Sequence, residues 1–260
     1  MDADTLRQYL EFYRDLGIDS LYRRSPEGSS SVAPQLAMPS AQASDPAPLP
    51  AVPFASPLPE APPLVHMQPP DETMLQIIQD LGDCKRCRLC EGRNKIVFGT
   101  GNERSPVVFV GEGPGADEDE QGIPFVGRAG QLLTQMIEGT AQKEGIPLKR
   151  SDVYICNVVK CRPPGNRTPE PDEMEICGQF LYRQLKVIKP KAICALGGTA
   201  AKAITGHKEG VTKLRGKWFR WGEFPVMVTY HPSYLLRPYN QNAKREAWED
   251  LKKVLHFAYD

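Results

Sequence analysis

The stretch VVFVGEGPGADEDEQGIPFVGRAGQLL, Val107–Leu133, decides the fold. It opens on an unbroken apolar run, turns on closely spaced glycines, and enters a helical pattern at Ala129. A run without polar alternation is a strand buried on both faces, and such a strand needs helices above and below it. Three more runs read the same way: VYICNVV (Val153–Val159), AICALGG (Ala192–Gly198) and PVMVTYHP (Pro225–Pro232). Helical patterns lie between and after them, over 129–143, 171–189, 199–205 and 241–257. This alternation predicts an α/β protein: three α/β/α layers around a four-stranded parallel sheet. Ligands of such sheets sit beyond the carboxyl ends of the strands, where the strand order reverses. Glu112, Asn157 and His231 all stand at predicted strand ends.

Outward from this domain, assigned to residues 71–260, the composition changes. Residues 26–70 hold 13 of the 25 prolines, with much Ala and Ser, and read as a disordered linker. Residues 1–25 place Leu6, Tyr9, Leu10, Tyr13 and Leu16 at helical spacing, a short amphipathic helix. Such a helix is marginal alone, so it is expected to dock on its own protein or on a protein partner.

The chain is formally neutral, but residues 1–70 carry 4 Lys/Arg against 8 Asp/Glu, which leaves +4 on the remainder. That weak basic bias permits nucleic acid without demanding it. There is no apolar run of about 18 residues and no secretory signal at the N-terminus, so a soluble cytoplasmic monomer with no membrane contact is expected. Seven cysteines under reducing conditions suggest metal ligands or buried thiols. Cys84 and Cys87 form a C-x-x-C pair; with Cys161 and Cys177 they make a set of four thiolates that suits zinc or an iron-sulfur cluster, and by spacing alone Cys90 competes with Cys84 for membership. Cys156 and Cys194 fall inside apolar runs and read as small buried hydrophobes.

The glycine loop first suggests a phosphate cradle. No Gly-Lys-Ser/Thr follows it, and the acids of ADEDE, Ala116–Glu120, would repel a pyrophosphate. What it offers is Glu112 between Gly111 and Gly113, where backbone can approach a ligand closely, and one aromatic, Phe125. These suit a flat ring. The Asn157 amide presents a donor and an acceptor, as the edge of a pyrimidine requires.

Together GEGPGADEDEQGIPFVGRAGQLL, VYICNVVKCRPPGNRTP and TYHPSYLLR resemble the family 4 uracil-DNA glycosylases, over about residues 83–255. The resemblance implies a 4Fe-4S cluster on Cys84, Cys87, Cys161 and Cys177, and hydrolysis of the N-glycosidic bond of deoxyuridine after the base is flipped from DNA. It implies that Phe125 stacks the uracil, that Asn157 reads its edge, and that the backbone at Gly111 and Gly113 lines the pocket. His231 would face O2 of the departing base and Glu112 would serve the sugar side. The tip Ser233, Tyr234, Leu235, Leu236 and Arg237 is similar to a wedge entering the minor groove, and Arg93, Asn166 and Arg167 are expected to contact DNA. The chain departs from the best-studied branch of the superfamily at Gly113, where that branch carries a water-activating aspartate. A covalently attaching branch carries histidine about where this chain has Asn166, so ordinary turnover is expected. The expected partner is uracil-containing DNA, single or double stranded, met at the nucleoid.

Overall fold

The computed structural model describes residues 71–237 and 240–260; the helix expected within residues 1–25 and the linker over 26–70 lie outside the described residues. Among the described residues there are six strands: β1 (Thr100–Gly101), β2 (Val107–Gly111), β3 (Tyr154–Asn157), β4 (Ala192–Leu196), β5 (Trp218–Trp221) and β6 (Phe224–Thr229). The helices are α1 (Met74–Leu81), α2 (Ala116–Gln121), α3 (Arg128–Lys143), α4 (Pro171–Ile188), α5 (Gly198–Thr205), α6 (Val211–Leu214), α7 (Pro232–Leu235) and α8 (Gln241–Tyr259). The strand order is β1-β3-β2-β4-β6-β5. The four expected parallel strands form the centre; the expectation of four strands is corrected by two antiparallel edges, β1 on β3 and β5 on β6. Strand β5 escapes the reading because WFRW alternates buried Phe219 with exposed Arg220, and it returns into β6 through Gly222, whose φ of 56° favours glycine.

The sheet sorts its side chains by the two-residue period of a strand. Val108 and Val110 of β2 face one side, with Phe180, Leu181 and Leu185 of α4 and Ile204 of α5; Val107 and Phe109 face the other, with Leu133 and Ile137 of α3 and Leu251 and Val254 of α8. Each of these large side chains contributes roughly 1.5–3 kcal/mol on full burial. Helix α1 joins the first layer through Met74, Ile77 and Leu81, begins on a Thr73–Gln76 capping box, and is tied to α4 by Arg183, which binds Glu72 and Asp80.

The chain leaves β2 through α2 and α3 to one neighbour, β3, and leaves β4 through α5 and α6 to the other side of the sheet order, β5 and then β6. The order therefore reverses between β2 and β4, and the carboxyl ends of these strands open there. Among the described residues no helix is long and apolar enough to cross a membrane.

Candidate active site

At that crevice lies a pocket of about 540 Å³, lined by residues from the ends of β2, β3, β4 and β6. It brings together Glu112, Gly113, Phe125, Asn157, Asn166, Arg167, His231, Ser233 and Leu236 of the expected set. Gly111 is paired with Asn157 across β2 and β3. A Cβ on Gly111 would stand 2.5 Å from Phe125 Cζ and closer still to Asn157 Oδ1, so only glycine lets these two walls approach.

Phe125 adopts φ 54°, a left-handed conformation rare outside glycine, and such a residue needs surrounding contacts to hold it. Three restraints do so. Glu118 Oε1 accepts the next two N–H groups, Val126 at 2.9 Å and Gly127 at 3.0 Å. Arg150 Nη2 donates to the Pro124 carbonyl at 2.8 Å from behind. Gly130 of α3 packs where any Cβ would collide with the Phe125 carbonyl. The Phe125 ring then lies 5.7 Å from the His231 ring, tilted by 34°.

His231 caps α7. Its Nδ1 accepts the Ser233 N–H at 3.2 Å and lies 2.7 Å from Ser233 Oγ. Burial pushes its pKa down to about 4, so the ring is neutral at pH 7. With Nδ1 accepting from an obligate donor, the proton of the neutral ring resides on Nε2. Pro232 at the first helical position sets the turn that aims it. Asn157 is 1% exposed, and among the described residues its Oδ1 has no hydrogen-bond partner. An acceptor left bare at such depth is costly, and here it borders a pocket. Glu112 lines the same pocket, half-buried, while its backbone carbonyl accepts the Val159 N–H at 3.2 Å.

Other expected residues are placed elsewhere. Arg93 does not reach the pocket: its side chain is 7% exposed and donates to the Cys84 carbonyl at 2.5 Å, to Cys161 Sγ at 3.5 Å and to Asp83 at 2.5 Å. Leu235 is not part of an exposed tip; it is buried in the α3/α8 core layer, while Tyr234 and Arg237 are exposed. Tyr234 stacks on Tyr230 at 5.3 Å, with the Arg237 guanidinium 5.9 Å from its ring. Arg128, on the pocket rim at the start of α3, carries no signal in the sequence beyond its charge. Arg167 is held at the rim by the fully buried Glu173, which also meets Arg88 beside the first cysteines.

The four expected thiols gather on one side of the first core layer. Cys161 and Cys177 are buried in it, Cys84 and Cys87 pack against it, and mutual repulsion between the thiolate forms contributes to the raised pKa of Cys87, Cys161 and Cys177, after burial. Donors are aimed at three of the sulfurs: Arg86 at Cys84 (3.6 Å), Arg93 at Cys161 (3.5 Å) and the Lys160 N–H at Cys177 (3.2 Å). Cationic and amide donors around four thiols suit an anionic thiolate-bound group. Among the described residues no three His, Cys, Asp or Glu side chains close on a single ion. Cys156 and Cys194 are buried in opposite core layers, as expected of small hydrophobes. Lys160 itself is fully buried, which lowers its pKa, and its Nζ donates to the Asn157 carbonyl at 2.9 Å and to Gln184 Oε1 at 2.6 Å. Among the described residues no lysine lines the pocket.

A family model of the uracil DNA glycosylase superfamily matches residues 98–252. The type-4 uracil-DNA glycosylase of Thermotoga maritima is 47% identical over 189 residues, covering 72% of this chain and 95% of that protein. That of Archaeoglobus fulgidus is 42% identical over 191 residues, 70% of this chain and 92% of that protein, and that of Sulfurisphaera tokodaii 43% over 195 residues, 72% and 86%. Fold, strand-end pocket and the extent of these matches agree: the chain belongs to the uracil DNA glycosylase superfamily, among its type-4 members.

Proposed function

We propose that the protein removes uracil from DNA by hydrolysing its N-glycosidic bond, which leaves an abasic site for base excision repair. The observation that carries this reading is Asn157 Oδ1, buried beside Gly111 at the edge of the pocket and without a hydrogen-bond partner among the described residues. A flipped uracil supplies the missing donor, N3–H, and its O4 accepts from the amide nitrogen. Cytosine, with an acceptor at N3 and a donor at position 4, meets like with like, a mismatch worth several kcal/mol when desolvated.

With the ring against Phe125, uracil O2 accepts the Nε2–H of neutral His231. As the C1′–N1 bond breaks, its electron pair stays on the base, and that preorganised donor stabilises the developing anion. The sugar becomes oxocarbenium-like. Glu112 offsets this charge, orients a water toward C1′ and takes its proton as the new C–O bond forms, in place of the aspartate that Gly113 lacks. Asn166, Arg167 and Ser233 border the nucleotide, while Leu236 and Tyr234 fill the space it vacates and Arg237 meets phosphate. With no lysine on the described pocket wall, the enzyme is monofunctional and releases its product, without a stable adduct through Asn166.

Cys84, Cys87, Cys161 and Cys177 hold a four-iron four-sulfur cluster. When bound, it would join the chain segments that carry these cysteines, and Arg86, Arg93 and the Lys160 N–H would donate to the Cys84, Cys161 and Cys177 thiolates that hold it.

The test is direct. Incubated with an oligonucleotide bearing one uracil and then treated with alkali, the protein should yield strand scission at uracil and none at thymine or cytosine. Before alkali the strand should stay intact. Tight binding to uracil-DNA without release of the base would defeat the reading.

A further inference from the structure

Of the ADEDE acids, Glu118 borders the pocket, whereas Asp119 does not line it and takes no part in the chemistry above. Asp119 is 0% exposed, and its carboxylate accepts the Asn94 N–H at 2.9 Å, the Asn94 Nδ2–H at 2.7 Å and the Lys95 N–H at 3.4 Å. Asn94 directly follows Arg93, the residue bound to the Cys84 carbonyl and Cys161 Sγ. The α2 helix then ends at Gly122, packed on Lys95 and Ile96. One position before Asp119, Glu118 accepts the Gly115, Val126 and Gly127 N–H groups at 3.0, 2.9 and 3.0 Å. Adjacent helical residues point about 100° apart, so the two carboxylates serve different neighbours of α2.

We propose that α2 is a strut between the cysteine-bearing segment and the aromatic wall of the pocket, with Asp119 and Glu118 acting as positioning residues for Phe125. A short relay of contacts runs from Cys161 through Arg93 and Asn94 to Asp119, and from Glu118 to the amides that follow Phe125. The left-handed backbone of Phe125 is a conformation that relaxes once its surroundings loosen. Freeing the Asp119 end lets α2 shift, and the Glu118 acceptor moves with it. This inference rests on the reading that uracil stacks on Phe125.

The test uses the full chain with its iron and sulfide in place. In single-turnover excision, Asp119→Ala is expected to slow the reaction about tenfold, since an ångström-scale shift of a positioning wall has effects of this order or larger. Asp119→Asn, whose oxygen still accepts the Asn94 and Lys95 N–H groups, should recover to within about threefold. Added to Phe125→Leu, Asp119→Ala should cost less than about a further twofold, because contacts acting through one residue are not additive. Hydrogen exchange gives a second readout: Val126 and Gly127 amides should exchange faster in Asp119→Ala, with the β2 amides unchanged. Asn94→Ala, which keeps the backbone donors, should show the same pattern at lower amplitude and serves if Asp119→Ala does not fold. Equal losses from Asp119→Ala with Phe125 intact and in the Phe125→Leu background, or unchanged exchange at Val126 and Gly127, would overturn the strut. If Phe125→Leu alone excises at the wild-type rate, the stacking role fails instead, and the exchange result still judges the strut.

Discussion

Replacing Gly111 with alanine perturbs both pocket walls with a single methyl group. The new Cβ would stand 2.5 Å from Phe125 Cζ and closer to Asn157 Oδ1, about 1 Å inside ordinary van der Waals contact. The Gly111 φ is not in the left-handed region, so alanine fits the strand itself and the whole penalty is overlap. Neither wall yields easily: Asn157 is on a central strand, and Phe125 is held by Glu118, Arg150 and Gly130. Overpacking of this kind costs roughly 1–3 kcal/mol. For a domain of this size that is a fall in melting temperature of roughly 2–12 °C. If the ring swings aside instead, the stability loss is at the lower end but the stacking surface is displaced by about 1 Å, enough for about a hundredfold loss in rate. Melting curves and single-turnover excision on a uracil oligonucleotide read the two outcomes. Wild-type excision together with an unchanged melting temperature in Gly111→Ala would refute the close approach of these walls.

Glu112→Gln keeps the size of the side chain and removes its basicity; excision should slow by a factor on the order of 10² or more with the protein's stability unchanged, and near-normal turnover would exclude the carboxylate from the reaction. His231 titrates at about 4 because of burial, so on its account single-turnover rates should be level from pH 6 to 8 and fall only as the pH nears 4; a loss centred near pH 6.5 would mean an exposed imidazole. Cys161→Ser should remove iron, measured by metal analysis, and weaken DNA binding while circular dichroism keeps the sheet; full iron content would remove Cys161 from the ligand set. His256 has its pKa raised by Glu144 and by Asp260, so its contribution is present below the ordinary 6.5 and is lost as pH rises through the raised value. The difference in melting temperature between wild type and His256→Gln should therefore shrink with rising pH.

The parallel strands are legible in the sequence because a strand covered on both faces writes an uninterrupted apolar run. Edge strands do not: β1 has two residues, and β5 buries only Phe219 fully. Helix α1 escapes the reading because Leu75, 63% exposed, and Ile78 blur the apolar stripe of Met74, Ile77 and Leu81. In the site, residues at strand ends are readable, since the fold class dictates where such ends lead. Partners distant in sequence are not. Arg93 resembles a DNA contact because a cation in a basic segment carries no sign of the Cys84 carbonyl and Cys161 sulfur that enclose it. The ADEDE acids read as charge repelling phosphate, whereas Glu118 and Asp119 act mainly as acceptors for backbone N–H groups. Lys160 gives no hint of burial, and only the structure pairs it with Gln184.

The register that sets Gly111 opposite Asn157 has a consequence for how this pocket tolerates change. The backbone of Gly111 and that of Asn157, the residue proposed to read the base, stand one interstrand step apart, about 4.8 Å, fixed by main-chain hydrogen bonds. Side chains on the helices can drift over many substitutions without resetting that gauge. With Asn157 in its proposed role, selectivity for the base would be anchored in the least variable dimension of the fold, while contacts to DNA from the loops would be free to be retuned independently.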